Sequence, residues 1–389
     1  MRTSVLFLLS FAIGAYSAAP IISSSSTRAV PNNFIVVLKP SVSKSRLISH
    51  LEFADDVLSA RGAVRNSTYE FPGFRGYYLQ APSDVVAYIE ADQTVTVTTA
   101  SKSHTHLSRR VQTNSPWNLA RISHRVRGSA DYVYEPTAGT YVYILDTGVK
   151  VTHQEFQRRA SFGFNAVGGS NDDINGHGTH LAGIVSSQTY GIVRFASIIA
   201  VKAVGDTGSG TVSQVISAIN WAVQDMQTKG RVGKATALLA VGGGFSTAMN
   251  NAVANASNAG LMFAVAAGGA ATTDNSSPAS EPTACTAGGT TSADARMSSS
   301  NYGPTIDIWA PGDSITSLWA TSDTATNILS GNSVAAAHIA GLGAYFLALE
   351  GPRTAVALCE RLKEAATPNV LSGIPGGTVN LLAYNLSGL

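Results

Sequence analysis

Three short stretches hold residues whose types and placement could do covalent chemistry. In GNSVAAAHIAG, residues 331–341, Ser333 stands before a run of small apolar residues, with His338 farther along the same run. NGHGTHLAG sets His177 between two glycines, which let other groups approach closely, and YILDTGV ends an apolar run in Asp146 just before a glycine-containing turn. A serine hydroxyl becomes a nucleophile when an imidazole takes its proton and a carboxylate fixes the imidazole's tautomer, and the chemistry that follows is acyl transfer. One serine at a helix start is ordinarily an N-cap, so the weight rests on the combination. His338 lies more than a full turn from Ser333 on one helix, out of easy reach of its Oγ, and reads as a packed or capping residue. The same reading applies to His180.

Such residues need elements to position them. YVYILD, ASIIAVKAV, ATALLAVGG, LMFAVAAG and IDIWAPG lack polar alternation and read as strands buried on both faces. HGTHLAGIVSS, SQVISAINWAVQDM, TAMNNAVANASNAG and SVAAAHIAGLGAYFLAL carry apolar residues at helical spacing between them. The alternation predicts a three-layer α/β domain with a mostly parallel central sheet, whose sites form at the carboxyl ends of the strands. Asp146 falls at such an end.

Upstream, NNFIVVLKP, FRGYYLQAP and QTVTVTT read as strands, and SVSKSRLISHLEFADD and PSDVVAYIEAD as helices. They predict a small α+β module over residues 33–100. The stretch 101–110 is polar and without apolar periodicity, a linker ending in Arg109 and Arg110. That pair reads either as a dibasic processing site or as a solvated charge pair.

Residues 1–19 place one arginine before a short apolar core and then small residues, the pattern of a secretory signal, with a serine-rich spacer at 23–26. The apolar stretch is short of the roughly 20 residues a membrane helix needs, and no later segment is expected to sustain that length, so the mature chain is expected outside the cell, with no membrane partner. Only 13% of residues are charged, 26 basic against 24 acidic, and 44% are hydrophobic, which argues against disorder and against nucleic-acid binding. A monomer is expected. The two cysteines, Cys285 and Cys359, have one possible pairing in an oxidising compartment, worth up to about 4.5 kcal/mol in the chain-entropy account, with buried free thiols as the alternative. Sequons stand at Asn66, Asn255, Asn275 and Asn385.

YILDTGV, NGHGTHLAG and SGNSVAAAHIAGL, in the order Asp, His, Ser, resemble the catalytic motifs of the subtilases, and PWNLARISHR, SPASEP and GTVNLLAYN resemble the fungal proteinase K branch. The resemblance spans residues 111–389. Residues 33–100 are similar to the subtilisin propeptide, which chaperones folding and inhibits the cleft until removed, so 20–110 is expected to be a propeptide acting as an intramolecular partner. The resemblance implies an Asp146–His177–Ser333 triad acting on protein or peptide substrates without a catalytic cofactor. It implies substrate pairing along Gly208, Ser209, Gly210, Val241 and Gly242, and a pocket lined by Ala266 and Gly268 that takes bulky apolar or aromatic side chains. It also implies structural calcium held by the carbonyls of Pro282 and Ala284 and by Asp307, and the loss of a second site, whose carboxylate position is Val370.

Two departures bear on activity. The family's oxyanion asparagine is Gly269 here, which leaves the Ser333 backbone amide as the assured donor. The residue before the nucleophile is Asn332, whose amide is expected to replace part of the lost donor. Two functions therefore compete: a secreted serine endopeptidase of reduced rate, and a pseudoprotease that keeps the cleft as a binding module. An α/β-hydrolase esterase is excluded, because GNSVA lacks the second glycine of the G-x-S-x-G elbow.

Overall fold

Strand-forming and helix-forming stretches alternate along the chain, and a computed structural model shows how they assemble. It describes residues 21–22, 29–38, 44–59, 61–71, 74–81, 96–101, 109–273 and 275–387. They fall into two compact units, Met1–Ser103 and His104–Leu389.

In the first unit the strands are β1 (Ile21–Ile22), β2 (Ala29–Leu38), β3 (Val64–Phe71), β4 (Phe74–Gln80) and β5 (Thr96–Ser101), with helix α1 over Lys44–Ser59. The sheet order is β1-β5-β2-β4-β3, antiparallel except for β1 against β5. Ala54 and Leu58 of α1 and Tyr77 and Leu79 of β4 are buried. Strand β3 was not expected, because RNSTYEF is polar and does not alternate; its backbone pairs along β4 all the same, and Asn66 lies within it. The signal at 1–19, the spacer at 23–26, the helix expected at 82–92 and most of the linker lie outside the described residues.

The second unit opens with β6 (Arg110–Gln112), α2 (Trp117–Ser123) and β7 (Tyr132–Tyr134). The sheet strands that follow are β8 (Ala138–Asp146), β9 (Ala160–Asn165), β10 (Phe195–Lys202), β11 (Ala235–Leu239), β12 (Met262–Ala266), β13 (Cys285–Thr290) and β14 (Ile308–Pro311). Between them run α3 (His177–Ser186), α4 (Val212–Thr228) and α5 (Thr247–Asn258). A hairpin, β15 (Ile315–Leu318) with β16 (Thr326–Leu329), leads to α6 (Asn332–Glu350), α7 (Ala355–Ala365), β17 (Thr367–Pro368) and β18 (Leu381–Leu382). The sheet order is β17-β18-β14-β13-β12-β11-β8-β10-β9, and every pair is parallel except β17 with β18.

Because side chains alternate along a strand, β8 feeds two cores. Val142 and Ile144 join Leu181 and Val185 of α3 and Ile339 of α6 on one face. Tyr143 and Leu145 join Val215 and Ile219 of α4 and Val253 of α5 on the other. Each such side chain contributes about 1.5–3 kcal/mol by leaving water. This is the expected three-layer α/β architecture.

In the central sheet, β9, β13 and the two-residue β17 and β18 were not read from the sequence, nor were the paired strands β6–β7 and β15–β16. In β13 the sequence CTAGGT is glycine-rich because neighbours press against it: a Cβ at Gly288 would lie 2.4 Å from the Trp309 ring, and one at Gly289 would lie 2.5 Å from Met297 Sδ. Helix α6 corrects another expectation, since its 19 residues are long and apolar enough to cross a membrane by length and composition. It is apolar on all sides because it is a core helix, with 83% of that stretch buried inside the protein. Cys285 and Cys359 form a disulfide between the start of β13 and α7, with Cα atoms 5.6 Å apart.

Candidate active site

Asp146 ends β8 and is fully buried, and His177 opens α3. The two meet because the turn after β8 and the start of α3 press together with no room for side chains. A Cβ at Gly178 would lie 2.1 Å from the Gly148 carbonyl oxygen and 3.2 Å from Asp146 Cβ, so only glycine lets the start of α3 close on the strand end. Gly176 takes φ +99° with the Trp319 ring against its Cα, a position closed to larger residues. His177 Nδ1 then donates to Asp146 Oδ1 at 2.7 Å, and the same oxygen accepts the Thr147 backbone N–H at 2.8 Å. This leaves Nε2 as the proton acceptor. The Asp146 charge, above all, raises the His177 pKa over its ordinary value; burial opposes it, while the direct hydrogen bond and the charge of Asp173 add to it.

Two residues that sequence reasoning passed over hold this arrangement. Asp173 is buried; its Oδ1 accepts from Thr147 Oγ1 and the Gly176 N–H, both at 2.8 Å, and its Oδ2 accepts from Thr179 N at 2.9 Å and Thr179 Oγ1 at 2.6 Å. One carboxylate therefore ties the residue after Asp146 to the first turn of the helix that carries His177. Lys202, buried at the end of β10, donates to the carbonyls of Thr147 and Asp172 at 2.7 and 3.0 Å and to Asp206 Oδ1 at 2.7 Å. The signal for Asp173 was an acid shortly before a helix start; for Lys202 it was a lone cation inside ASIIAVKAV, a run read as buried on both faces.

Ser333 is the second residue of α6, half-buried, behind the N-cap Gly331. Its Oγ donates to the Ala240 carbonyl at 3.2 Å. Ala240 follows β11, whose Leu239 lies in register with Leu145 of β8, so the hydroxyl sits one strand over from Asp146. Gly331 supplies no side-chain cap, and the first-turn amides of α6, that of Ser333 among them, are left to face an anion. His338 is fully buried, with Nδ1 bonded to the Val334 carbonyl at 2.8 Å and Nε2 to Asn118 Nδ2 at 2.9 Å. His180 Nε2 lies 3.0 Å from the Ile315 carbonyl oxygen. Burial pushes both imidazoles down to about 4, so they stay neutral packing residues.

The oxyanion side is thinner. Gly269 is exposed, and a Cβ built on it would meet nothing within 4 Å. Asn332 does not stand as the sequence suggested. Its Nδ2 donates to the Gly268 carbonyl and its Oδ1 accepts the Gly289 N–H at 2.7 Å, so the carboxamide braces the segments after β12 and within β13. Gly208, Ser209 and Gly210 form an exposed turn after β10, with Gly205 N–H donating to the Ser209 carbonyl at 2.8 Å. Gly242 is exposed and Val241 half-buried after β11, while Ala266 and Gly268, at and beyond the end of β12, are half-buried.

Several peripheral expectations change. Asn385 is fully buried, its Nδ2 donating to the Val133 carbonyl at 2.8 Å, so that sequon cannot accept a glycan in the folded chain. Asn255 and Asn275 are exposed. Arg109 and Arg110 are exposed, and Arg110 already pairs with Tyr134 across β6 and β7. Val370 packs on the cluster around Trp309. The calcium ligand set does not fit its ion: Asp307 Oδ2 accepts the Thr286 N–H at 2.9 Å, and Lys363 Nζ stands 3.7 Å from Oδ1, where an ammonium opposes a second cation. Asp307 also clusters with Cys285 and Cys359, but disulfide sulfurs are not thiolate ligands.

Residues 137–375 match the subtilase family of peptidases. The chain is 39% identical to a cuticle-degrading protease of Metarhizium anisopliae over 94% of this chain and 93% of that one. It is 38% identical to alkaline protease 1 of Emericella nidulans over 98% and 97%, and 45% identical to the subtilisin-like serine protease AsES of Sarocladium strictum over 77% and 75%. Among solved structures, a cold-adapted subtilisin-like serine proteinase matches with a TM-score of 0.67 at 36% identity, covering 70% of this chain and 99% of that one.

Proposed function

The chain belongs to the subtilase family and is a serine-type endopeptidase, and on that premise we propose that Asp146, His177 and Ser333 cut proteins outside the cell at a rate held down by a missing oxyanion donor. Ser333 Oγ attacks the scissile carbonyl while its proton passes to His177 Nε2. The C–N bond then breaks and the same proton goes to the leaving amine. Water enters by the same route in reverse, and its hydroxyl releases the acyl group from Ser333. Asp146 holds the imidazole's tautomer and offsets the imidazolium charge. No cofactor takes part. The observation that carries the reading is the 2.7 Å bond from His177 Nδ1 to a fully buried Asp146.

Extended peptide would lie along Gly208, Ser209 and Gly210 on one side and Val241 and Gly242 on the other, joined by backbone hydrogen bonds. Small residues at Ala266 and Gly268 leave room for a bulky apolar or aromatic group before the scissile bond. Residues 20–110 serve as the propeptide and are removed at or near Arg109 and Arg110, after export directed by residues 1–19. Asn66, Asn255 and Asn275 remain the candidate glycan sites. A second reading, a cleft that binds and does not cut, draws on Gly269 and on the altered residues around Ser333.

The deciding experiment compares secreted wild type with Ser333→Ala by N-terminal sequencing and by labelling with a fluorophosphonate. Labelling of the wild type only, with propeptide removal lost in the variant, is the expected result. Equal processing of both chains and no labelling of either would establish the binding module.

A further inference from the structure

The seam between β13, β14 and α7 is fastened twice. Cys285 at the start of β13 is bonded to Cys359 of α7, and Lys363 lies one turn farther along that helix, on the same face as Cys359. Opposite it, just before β14, is Asp307, locked to the residue after Cys285 in both directions: Thr286 N–H donates to Asp307 Oδ2 at 2.9 Å, and Asp307 N–H donates to the Thr286 carbonyl at 3.0 Å. The disulfide therefore delivers the ammonium to the carboxylate. Lys363 Nζ stands 3.7 Å from Asp307 Oδ1 and 2.8 Å from Glu360 Oε1, with lysine and Asp307 side chains 25% and 27% exposed.

We propose that Lys363 is the built-in cation of this seam, standing at Asp307 in place of a divalent ion, so that the stability of the catalytic domain does not depend on calcium. A calcium ion coordinated by Asp307 would sit about 2.3–2.6 Å from its oxygens, inside the reach of the ammonium, and could enter only by driving Lys363 away from its partner. A monovalent side chain also asks less of its surroundings. It needs one or two acceptors, which Asp307 and Glu360 supply, whereas calcium needs six to eight oxygens.

The test is thermal melting of the secreted protein, treated with a sulfonyl fluoride to stop self-digestion, in excess calcium and in excess EGTA. Wild type is expected to melt at the same temperature in both. Lys363→Met, which keeps the apolar stem, is expected to melt about 1–3 °C lower in EGTA, the size of effect a partly exposed ion pair has on a domain this large. Asp307→Asn should lose a similar amount, and the double variant no more than either single one, because both remove the same contact. A calcium-dependent rise in wild type that Asp307→Asn abolishes would overturn the proposal, and so would a Lys363→Met variant that melts with wild type in EGTA.

Discussion

Around Asp146 and His177 almost every polar group has a partner, while around Gly269 an exposed backbone faces open space. On the first side, two glycines admit the helix, Asp173 makes four hydrogen bonds, and Lys202 fastens two loop carbonyls; among these carboxylate oxygens only Asp146 Oδ2 is without a bond. On the second, the first-turn amides of α6 supply backbone donors, and the nearby carboxamide of Asn332 is occupied in bracing strands. The difference separates two parts of the same reaction. On the proposed mechanism, the groups for proton transfer are held in advance, whereas the side that would stabilise the oxyanion lacks the family's carboxamide at position 269.

Restoring the missing donor tests this contrast most strongly. Gly269→Asn is expected to raise kcat by about a hundred- to a thousand-fold, the cost of losing that donor as measured in a subtilisin, with little change in KM. The open space around Gly269 makes the substitution sterically free, so an unchanged kcat would mean that the oxyanion side is not the weak one.

Loosening the prepared side should show in pH as well as in rate. His177 acts as a base only when neutral, and its pKa is raised, so kcat/KM is expected to fall away as pH drops through a value above the ordinary 6.5. His180 and His338, pushed down to about 4, stay neutral over that range and do not contribute. Asp173→Asn removes one of the charges that raise His177 and unties Thr147 from Thr179. The acid limb should move to lower pH, and kcat should fall roughly ten- to a hundred-fold through misplacement of the imidazole. A limb that stays where it is would reduce Asp173 to a structural residue.

The smallest effect separates a brace from a donor. Asn332→Ala leaves the Gly268 carbonyl and the Gly289 N–H without their side-chain partner, and should cost about 1–3 kcal/mol of stability in denaturant titration. If turnover collapses while stability holds, the carboxamide reaches the oxyanion after all.

The strands that lie in the middle of the sheet were legible, because burial on both faces writes continuous apolar runs into ATALLAVGG and LMFAVAAG. Strand β13 was not, since its glycines answer to Trp309 and Met297, which are neighbours only in space. Asp146, His177 and Ser333 were singled out by their glycines and element boundaries together with the family's motifs, and the structure brings Asp146 and His177 into contact. Asp173 was not, because a buried charge satisfied by a loop and a helix start looks, in sequence, like any solvated one; Lys202 lay in a run read as buried, but its loop-carbonyl partners are neighbours only in space. Asn332 was misjudged for a related reason: its side chain was assigned by what lies next to it in the chain, and its partners are residues 268 and 289.

Helix α6 carries Ser333, the proposed nucleophile, and is apolar on every side, with no face that water could stabilise. Such a helix has no independent existence: released from the sheet, it would lose its fold and Ser333 its station together. A molecule in which α6 has left the sheet therefore does not hold Ser333 in position. For the experimenter, covalent labelling of Ser333 becomes a count of intact domains, so a titration of active sites across a thermal melt should trace the unfolding curve itself.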